Sequence, residues 1–183
     1  MELSAISRRL SAGFSLFAIR SSPEGYLTPF HTNENMPAME DTNRRLMWHG
    51  MFLFLLGLLT GFVEPRFANI RMGLAAHLEG VMNGIFLVGL GAIWNDVRLS
   101  PRVKSMAFWI ALFGTYGNWF MTTTAAVFGT KALSPITGTP HGGQPWQEKL
   151  VTAGFMVVGI VIVACAVFVL CGLRRAPRSK AIP

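Results

Sequence analysis

Four long apolar stretches interrupt an otherwise polar chain. Each has about 20 residues, the length at which an α-helix crosses a hydrocarbon core about 30 Å thick. None alternates between apolar and polar residues with a period of two, so a membrane β-barrel is not expected. The pattern predicts an all-α, four-helix transmembrane bundle with spans over Leu46–Val63, Leu74–Trp94, Met106–Phe128 and Leu150–Leu173.

Basic residues are distributed unevenly between the two sides of this predicted bundle. The net charge of +7 could suggest a nucleic-acid partner. However, 12 of the 16 Lys and Arg residues precede the first span, follow the fourth, or lie between the second and third. This positive-inside bias predicts that both termini are cytoplasmic and that the chain binds lipid rather than nucleic acid. With 51% hydrophobic and 14% charged residues, the composition excludes an ordinary soluble domain.

The sequence divides into three regions. Residues 1–42 read as a poorly ordered N-terminal extension, although translation could equally start at Met36 or Met39. Residues 43–175 form the predicted four-span membrane domain, and residues 176–183 form a basic cytoplasmic tail. The loop at 129–149 is rich in Gly and Pro, which predicts an irregular outer segment that could cover the mouth of the bundle.

Polar residues in the second span are the strongest candidates for function. His77, Glu79 and Asn83 lie in its first half, and such groups are costly in hydrocarbon unless they are paired or functional. His77 shares a stripe with Gly80 and Gly84. That stripe predicts either a helix-packing seam or a smooth face that could accept a flat macrocycle such as haem.

Glu79 and Asn83 are four residues apart and therefore share another face, which we expect to look into the bundle. The third span offers a matching stripe of Thr115, Asn118 and Thr122. Interhelical hydrogen bonding that only holds the bundle together is the alternative reading, most of all for the two threonines.

The histidines constrain any haem site. His49 and His77 lie near opposite ends of their spans, about 20 Å apart in depth at 1.5 Å per residue. They cannot sandwich one haem within a monomer, which argues against a bis-histidine electron carrier. His49 reads as an interfacial residue, and a second axial ligand could come only from His141 of the outer loop.

At these residues the chain resembles the bacterial hydroxylaminobenzene mutase family. The resemblance lies in residues 44–61, in residues 69–84 with their Ala-His-Leu-Glu-Gly-Val-Met-Asn-Gly segment, and in Tyr116-Gly-Asn-Trp119. It covers about residues 43–173. A more distant resemblance to styrene oxide isomerase rests on Ala76-His77, then five residues, then Asn83-Gly84.

The resemblance implies an isomerase that converts arylhydroxylamines to 2-aminophenols. It further implies haem b with His77 as proximal ligand and the iron as a Lewis acid. The more distant family has a tyrosine where this chain has Thr122, so Tyr116 is a possible substitute. The expected catalytic residues are Asn83, Asn118, Tyr116 and Glu79, and the expected substrate-binding residues are Trp119, Thr122 and Phe120.

The resemblance and the glycine pairs together imply a homo-oligomer, for which a trimer is one option, in a bacterial inner membrane. The substrate would be a small aromatic molecule. Three alternatives stay open from the sequence: an epoxide isomerase of the styrene oxide type, a non-catalytic four-helix membrane protein, and a haem electron carrier.

Overall fold

The computed structural model describes residues 36–133, 135–138 and 140–174. The expectations for residues 1–35 and for the tail at 176–183 therefore lie outside the described residues. The described part contains no strand and has four long helices, which confirms the predicted all-α four-helix class. These helices are α1 (Met36–Val63), α2 (Ile70–Ile93), α3 (Pro101–Phe128) and α4 (Pro145–Arg174).

Local sequence explains where the helices begin and end. A 3₁₀ turn, Glu64–Arg66, follows α1 because Pro65 cannot donate the next helical hydrogen bond. Asn69 caps α2 by accepting the Met72 N–H at 3.2 Å. Gly129, with a φ of 66°, ends α3 in the left-handed conformation that glycine tolerates best.

All four helices begin earlier than the apolar pattern indicates, α2 at Ile70 instead of Leu74 and α3 at Pro101 instead of Met106. α1 begins at Met36, so its first turns include residues assigned to the extension. α4 begins at Pro145 instead of Leu150, because proline suits the first helical position, where no N–H partner is needed. The outer loop contains one short helical turn, Pro135–Gly138, which the Gly and Pro content did not predict.

Three of the described helical segments are long and apolar enough to cross a membrane: Asp41–Arg66, Ile70–Ile93 and Pro145–Arg174. The remaining long helix, α3, has sufficient length but carries Asn118 and the run Thr122–Thr124, which lower its hydropathy. We treat all four helices as membrane-embedded because α3 packs against both α2 and α4. The cytoplasmic location of both termini stays a prediction.

Each long helix packs chiefly against its neighbours in sequence. α1 lies along α2, α2 along α3, and α3 along α4, whereas α4 makes no close backbone contact with α1 or α2 in the described part of the chain. Only 17% of the most apolar 18-residue segment of α4 is buried, against 33% of the corresponding segment of α2. α4 is therefore a peripheral helix held by α3.

Glycines allow α1 and α2 to approach at backbone distance. A Cβ placed on Gly57 would lie 2.5 Å from the Val81 nitrogen, and one on Gly84 would lie 2.7 Å from the Gly50 oxygen. The glycine stripe is thus a packing seam within the chain, as the first of the two readings predicted. Because α1 covers Gly80 and Gly84, the glycine part of the stripe is a contact within the chain and gives no support to an oligomer.

The outer loop is tied to the start of α4 by one carboxylate. Glu148 accepts backbone N–H groups from Lys131 at 3.1 and 3.2 Å, Ala132 at 2.9 Å and Gly143 at 3.0 Å. These contacts join both ends of the loop to one side chain. The loop is therefore fastened to the bundle even though its sequence is rich in Gly and Pro.

Candidate functional site

His77 is turned toward α1. Its Nδ1 lies 2.8 Å from the Gly57 carbonyl oxygen, and its ring lies against Gly61. A carbonyl can only accept a hydrogen bond, so Nδ1 carries a proton, and in a neutral imidazole Nε2 then has the lone pair. No described residue hydrogen-bonds to Nε2. Metal-ligating histidines are commonly oriented by this type of Nδ1–H contact.

Glu79, Asn83 and Asn118 form a cluster between α2 and α3. The Glu79 Oε2 atom accepts the Asn83 amide at 3.3 Å and also the amide of Asn118. Asn83 donates as well to the Thr115 carbonyl oxygen at 3.4 Å. The structure thus brings together three of the four predicted catalytic residues, and the two that belong to α2, Glu79 and Asn83, lie on a different face of that helix from His77.

This cluster opens into a groove between α2 and α4, with α3 as its floor. The groove has a volume of about 210 Å³. Its polar lining comes from Glu79, Asn83 and Thr115, and the rest is apolar. The apolar lining residues are Met82, Phe86, Ile110, Ala111, Ile162 and Cys165.

The groove exists because α4 stands away from α2. Glu79, Asn83 and Phe86 share one face of α2 at helical spacing, so the α2 part of the lining could have been read from the sequence. The α4 part of the lining consists of Ile162 and Cys165. It could not have been predicted from the sequence, because a uniformly apolar helix does not reveal which of its faces meets the bundle.

Tyr116 lies in a different place from the other predicted catalytic residues. Its hydroxyl donates to the His49 carbonyl oxygen at 3.1 Å and is 3.2 Å from the His49 Nδ1 atom. The pair forms part of an open aromatic groove between α1 and α3, with a volume of about 550 Å³, that includes Trp48 and Trp109. His49 therefore has a specific partner on α3.

The three residues expected to bind substrate are also dispersed. Trp119 donates its indole N–H to the Thr60 hydroxyl at 3.1 Å, at the junction of α1 and α3. Thr122 is buried and donates to the Asn118 carbonyl oxygen of its own helix at 2.9 Å. Phe120 is 57% exposed on the outer surface of α3. None of the three belongs to the lining of the groove at Glu79.

No group of three or more His, Cys, Asp or Glu side chains suited to a bare metal ion occurs in the described residues. A haem needs only one protein ligand, so this finding does not bear on it. His141 lies beside Gly129 at the end of α3, and no contact joins it to His77 among the described residues. Cys165 is buried and Cys171 is exposed, and both are free.

The chain is similar to several known proteins. It is 42% identical to hydroxylaminobenzene mutase HabB of Ectopseudomonas oleovorans over 138 residues, which cover 75% of this chain and 84% of that protein. It is 37% identical to HabA of the same organism over 129 residues, covering 69% of this chain and 94% of HabA. A 31% match to a probable cytochrome c oxidase subunit 1-alpha of Streptomyces coelicolor covers only 18% of that protein.

The family profile described as styrene oxide isomerase matches residues 42–174, which include all four helices from the second turn of α1 onward. No solved structure matches the chain. The similarities confirm the resemblance seen at the His77 to Asn83 segment and identify a membrane isomerase. The chain belongs to the styrene oxide isomerase family.

Proposed function

We propose that this isomerase rearranges arylhydroxylamines to 2-aminophenols in the membrane. The observation that carries the proposal is the polar cluster of Glu79, Asn83 and Asn118, which opens into an otherwise apolar groove. Such a site suits a substrate with one apolar ring and one small polar group. The names of the two mutase relatives support the same reaction.

The reaction is an isomerisation with no net redox change. The N–O bond breaks, a C–O bond forms at the ortho carbon, and the ring proton displaced there moves to nitrogen. In water, the arylnitrenium-like cation would be captured mostly at the para carbon. A groove lined by Phe86, Ile110 and Ile162 limits water near the ring and thereby favours return of the oxygen to the ortho position.

The polar residues have distinct roles in this proposal. Glu79 touches the substrate, holds the hydroxylamine group and stabilises developing positive charge on nitrogen. Asn83 lines the groove beside it, and Asn118 acts as a positioning residue because its amide holds the Glu79 carboxylate. We leave Tyr116 out of the catalytic set, because its hydroxyl is engaged with His49 in the other groove.

We further propose that His77 is the proximal ligand of a haem b. The Nδ1–H contact to Gly57 fixes the ring, and Nε2 has no hydrogen-bond partner among the described residues, so this nitrogen would be the one to hold the iron. When bound, haem iron supplies a Lewis acid for a leaving oxygen. A haem content assay tests this: His77→Ala is expected to lose the haem, and His49→Ala to keep it. Equal haem in both variants would contradict the assignment.

The positions of His77 and Glu79 on α2 favour an active form made of several copies of the chain. His77 contacts α1, while Glu79 contacts α3, so the two side chains leave α2 on different faces. A group held at His77 and a substrate held at Glu79 would meet most directly if they belonged to neighbouring copies. We therefore propose that the active form is a homo-oligomer, a trimer being one option, in a bacterial inner membrane with both termini cytoplasmic.

Product analysis tests the proposed reaction. Membranes containing the chain are incubated with phenylhydroxylamine, without oxygen or reductant, and the products are separated. We expect 2-aminophenol, with none from membranes that carry a Glu79→Leu variant at equal folded level. Epoxide isomerisation is the second candidate because the matching family is named for it, and aldehyde formed from styrene oxide in place of 2-aminophenol would favour that reaction. Absence of both products from membranes with folded protein would overturn both.

A further inference from the structure

One oxygen of the Glu79 carboxylate has no hydrogen-bond partner among the described residues. Both amide donors reach the Oε2 atom, and the Oε1 atom accepts no hydrogen bond from any described residue. Nor is Oε1 among the enclosed, unpaired polar atoms of the described chain. Glu79 lines the groove, so its carboxylate lies where a bound molecule would make contact. An acceptor with spare capacity in an apolar site gains most from a ligand that donates.

The other polar lining residues have already used their donors. The Asn83 amide nitrogen donates to Glu79 and to the Thr115 carbonyl oxygen, which accounts for both of its hydrogens. The Thr115 hydroxyl donates to the Ala111 carbonyl oxygen at 2.8 Å. A thiol such as that of Cys165 is only a weak donor. The groove thus presents acceptors and almost no donor.

This polarity separates the two substrate classes named among the relatives. An arylhydroxylamine carries an N–H and an O–H, and both can donate to Glu79. An epoxide has an oxygen that only accepts. A volume of about 210 Å³ has room for one substituted ring, since a cavity of about 150 Å³ holds benzene. The apolar part of the groove would therefore accept either molecule. The polar part would accept only the arylhydroxylamine, because only that molecule has hydrogen-bond donors.

We infer that Glu79 is a specificity-determining residue that selects substrates with a hydrogen-bond donor beside the ring and rejects epoxides. The inference rests on the proposed function for its substrate, but it concerns selectivity and not the chemical step. It follows from the Oε1 atom, which accepts no hydrogen bond from a described residue, and from the donor groups of Asn83 and Thr115, which are already hydrogen-bonded within the protein.

Glu79→Gln provides a sharp test because it replaces one hydrogen-bond acceptor, a carboxylate oxygen, by a donor, an NH₂ group, with little change of shape. The glutamine oxygen would accept the two asparagine amides, and its NH₂ group would then face the groove as a donor. We expect kcat/KM for phenylhydroxylamine to fall roughly tenfold to a hundredfold. We expect styrene oxide, added as a competitor, to bind more tightly than it does to the wild type.

The measurement is the ratio of the styrene oxide inhibition constant to the phenylhydroxylamine KM, in membranes containing the full chain. Glu64→Gln is the matched control, because it makes the same chemical change in the turn after α1, away from the groove lining. The control should keep the wild-type ratio. A Glu79→Gln ratio equal to that of the wild type would overturn the inference, as would equal weakening of both ligands, which would indicate a merely structural role.

Thermal stabilisation of the purified protein covers the case in which Glu79→Gln has no turnover. Phenylhydroxylamine should stabilise the wild type more than styrene oxide does, and the order should reverse in the variant. An unchanged order would contradict the inference. If wild-type protein binds with the expected order but forms no 2-aminophenol, the proposed reaction fails and the selectivity stands.

Discussion

The two faces of α2 differ in how closely the neighbouring helices approach. On the Gly57 side the backbones of α1 and α2 meet with no room for a single methyl group. On the Glu79 side α4 stands back and leaves a groove of about 210 Å³. The first face carries stability, because close packing tolerates no added volume. The second is the face of the proposed chemistry, because polar groups that act on a ligand need space for it. One helix therefore serves both purposes through residues only a few positions apart.

Gly57→Val should produce the largest effect, because it attacks the tight face. The new Cβ would lie 2.5 Å from the Val81 nitrogen and 2.7 Å from the Gly80 carbonyl carbon, both of them backbone atoms that cannot move aside. We expect a loss of about 3 kcal/mol or more in the free energy of unfolding, or no folded protein. Thermal unfolding in detergent measures this.

Gly89→Val is the matched control for that experiment. Gly89 is a glycine of α2 with nothing within 4 Å of its added Cβ. The free energy of unfolding of Gly89→Val should lie within about 1 kcal/mol of the wild-type value. If Gly57→Val were as stable as Gly89→Val, the close seam between α1 and α2 would be wrong.

Asn118→Leu should have the next largest effect and should act on the open face. It removes the amide that holds Glu79 and leaves the carboxylate with one donor fewer. We expect about a hundredfold lower formation of 2-aminophenol, mostly in kcat, by analogy with the loss of one preorganised donor. Asn118→Gln, which keeps the amide, should recover part of the activity. Thr124→Val, on the same helix, removes a hydroxyl that donates to the Phe120 carbonyl oxygen outside the groove lining, and it should keep full activity.

The candidate site shows where reading a sequence succeeds and where it stops. The polar residues at 79, 83 and 118 were predicted to face one another, since charged and amide groups in a membrane must find partners. Tyr116 was predicted to act with them from a neighbouring face, but a residue two positions from Asn118 points about 200° away around a helix, and its hydroxyl reaches His49 instead. The length of the apolar stretches predicted the helices themselves. The separation of α4 from α2 depends on packing that no single helix encodes.

Tyr116→Phe tests that placement and should have a smaller effect. It removes the hydrogen bonds to His49 and leaves the ring in place. We expect about 1 kcal/mol lower stability and 2-aminophenol formation within about threefold of the wild type. A loss as large as that of Asn118→Leu would return Tyr116 to the catalytic set.

Glu148→Gln should have the smallest effect, since it alters the fastening of the outer loop and neither face of α2. A neutral amide has only one acceptor oxygen for the three N–H groups that Glu148 now holds. We expect faster tryptic cleavage at Lys131. We expect the free energy of unfolding to fall by less than about 1 kcal/mol. Equal cleavage rates for the variant and the wild type would show that the loop is held by other contacts.

The order of packing along the chain has a consequence for biogenesis. Each helix finds its main partner in the helix made just before it, so most contacts are local in sequence and can form as the chain leaves the ribosome. The α1–α2 hairpin can be complete before α3 has been synthesised. The groove, which needs α4, is the last part to be built, so a nascent chain would acquire its fold before it acquires a place for substrate.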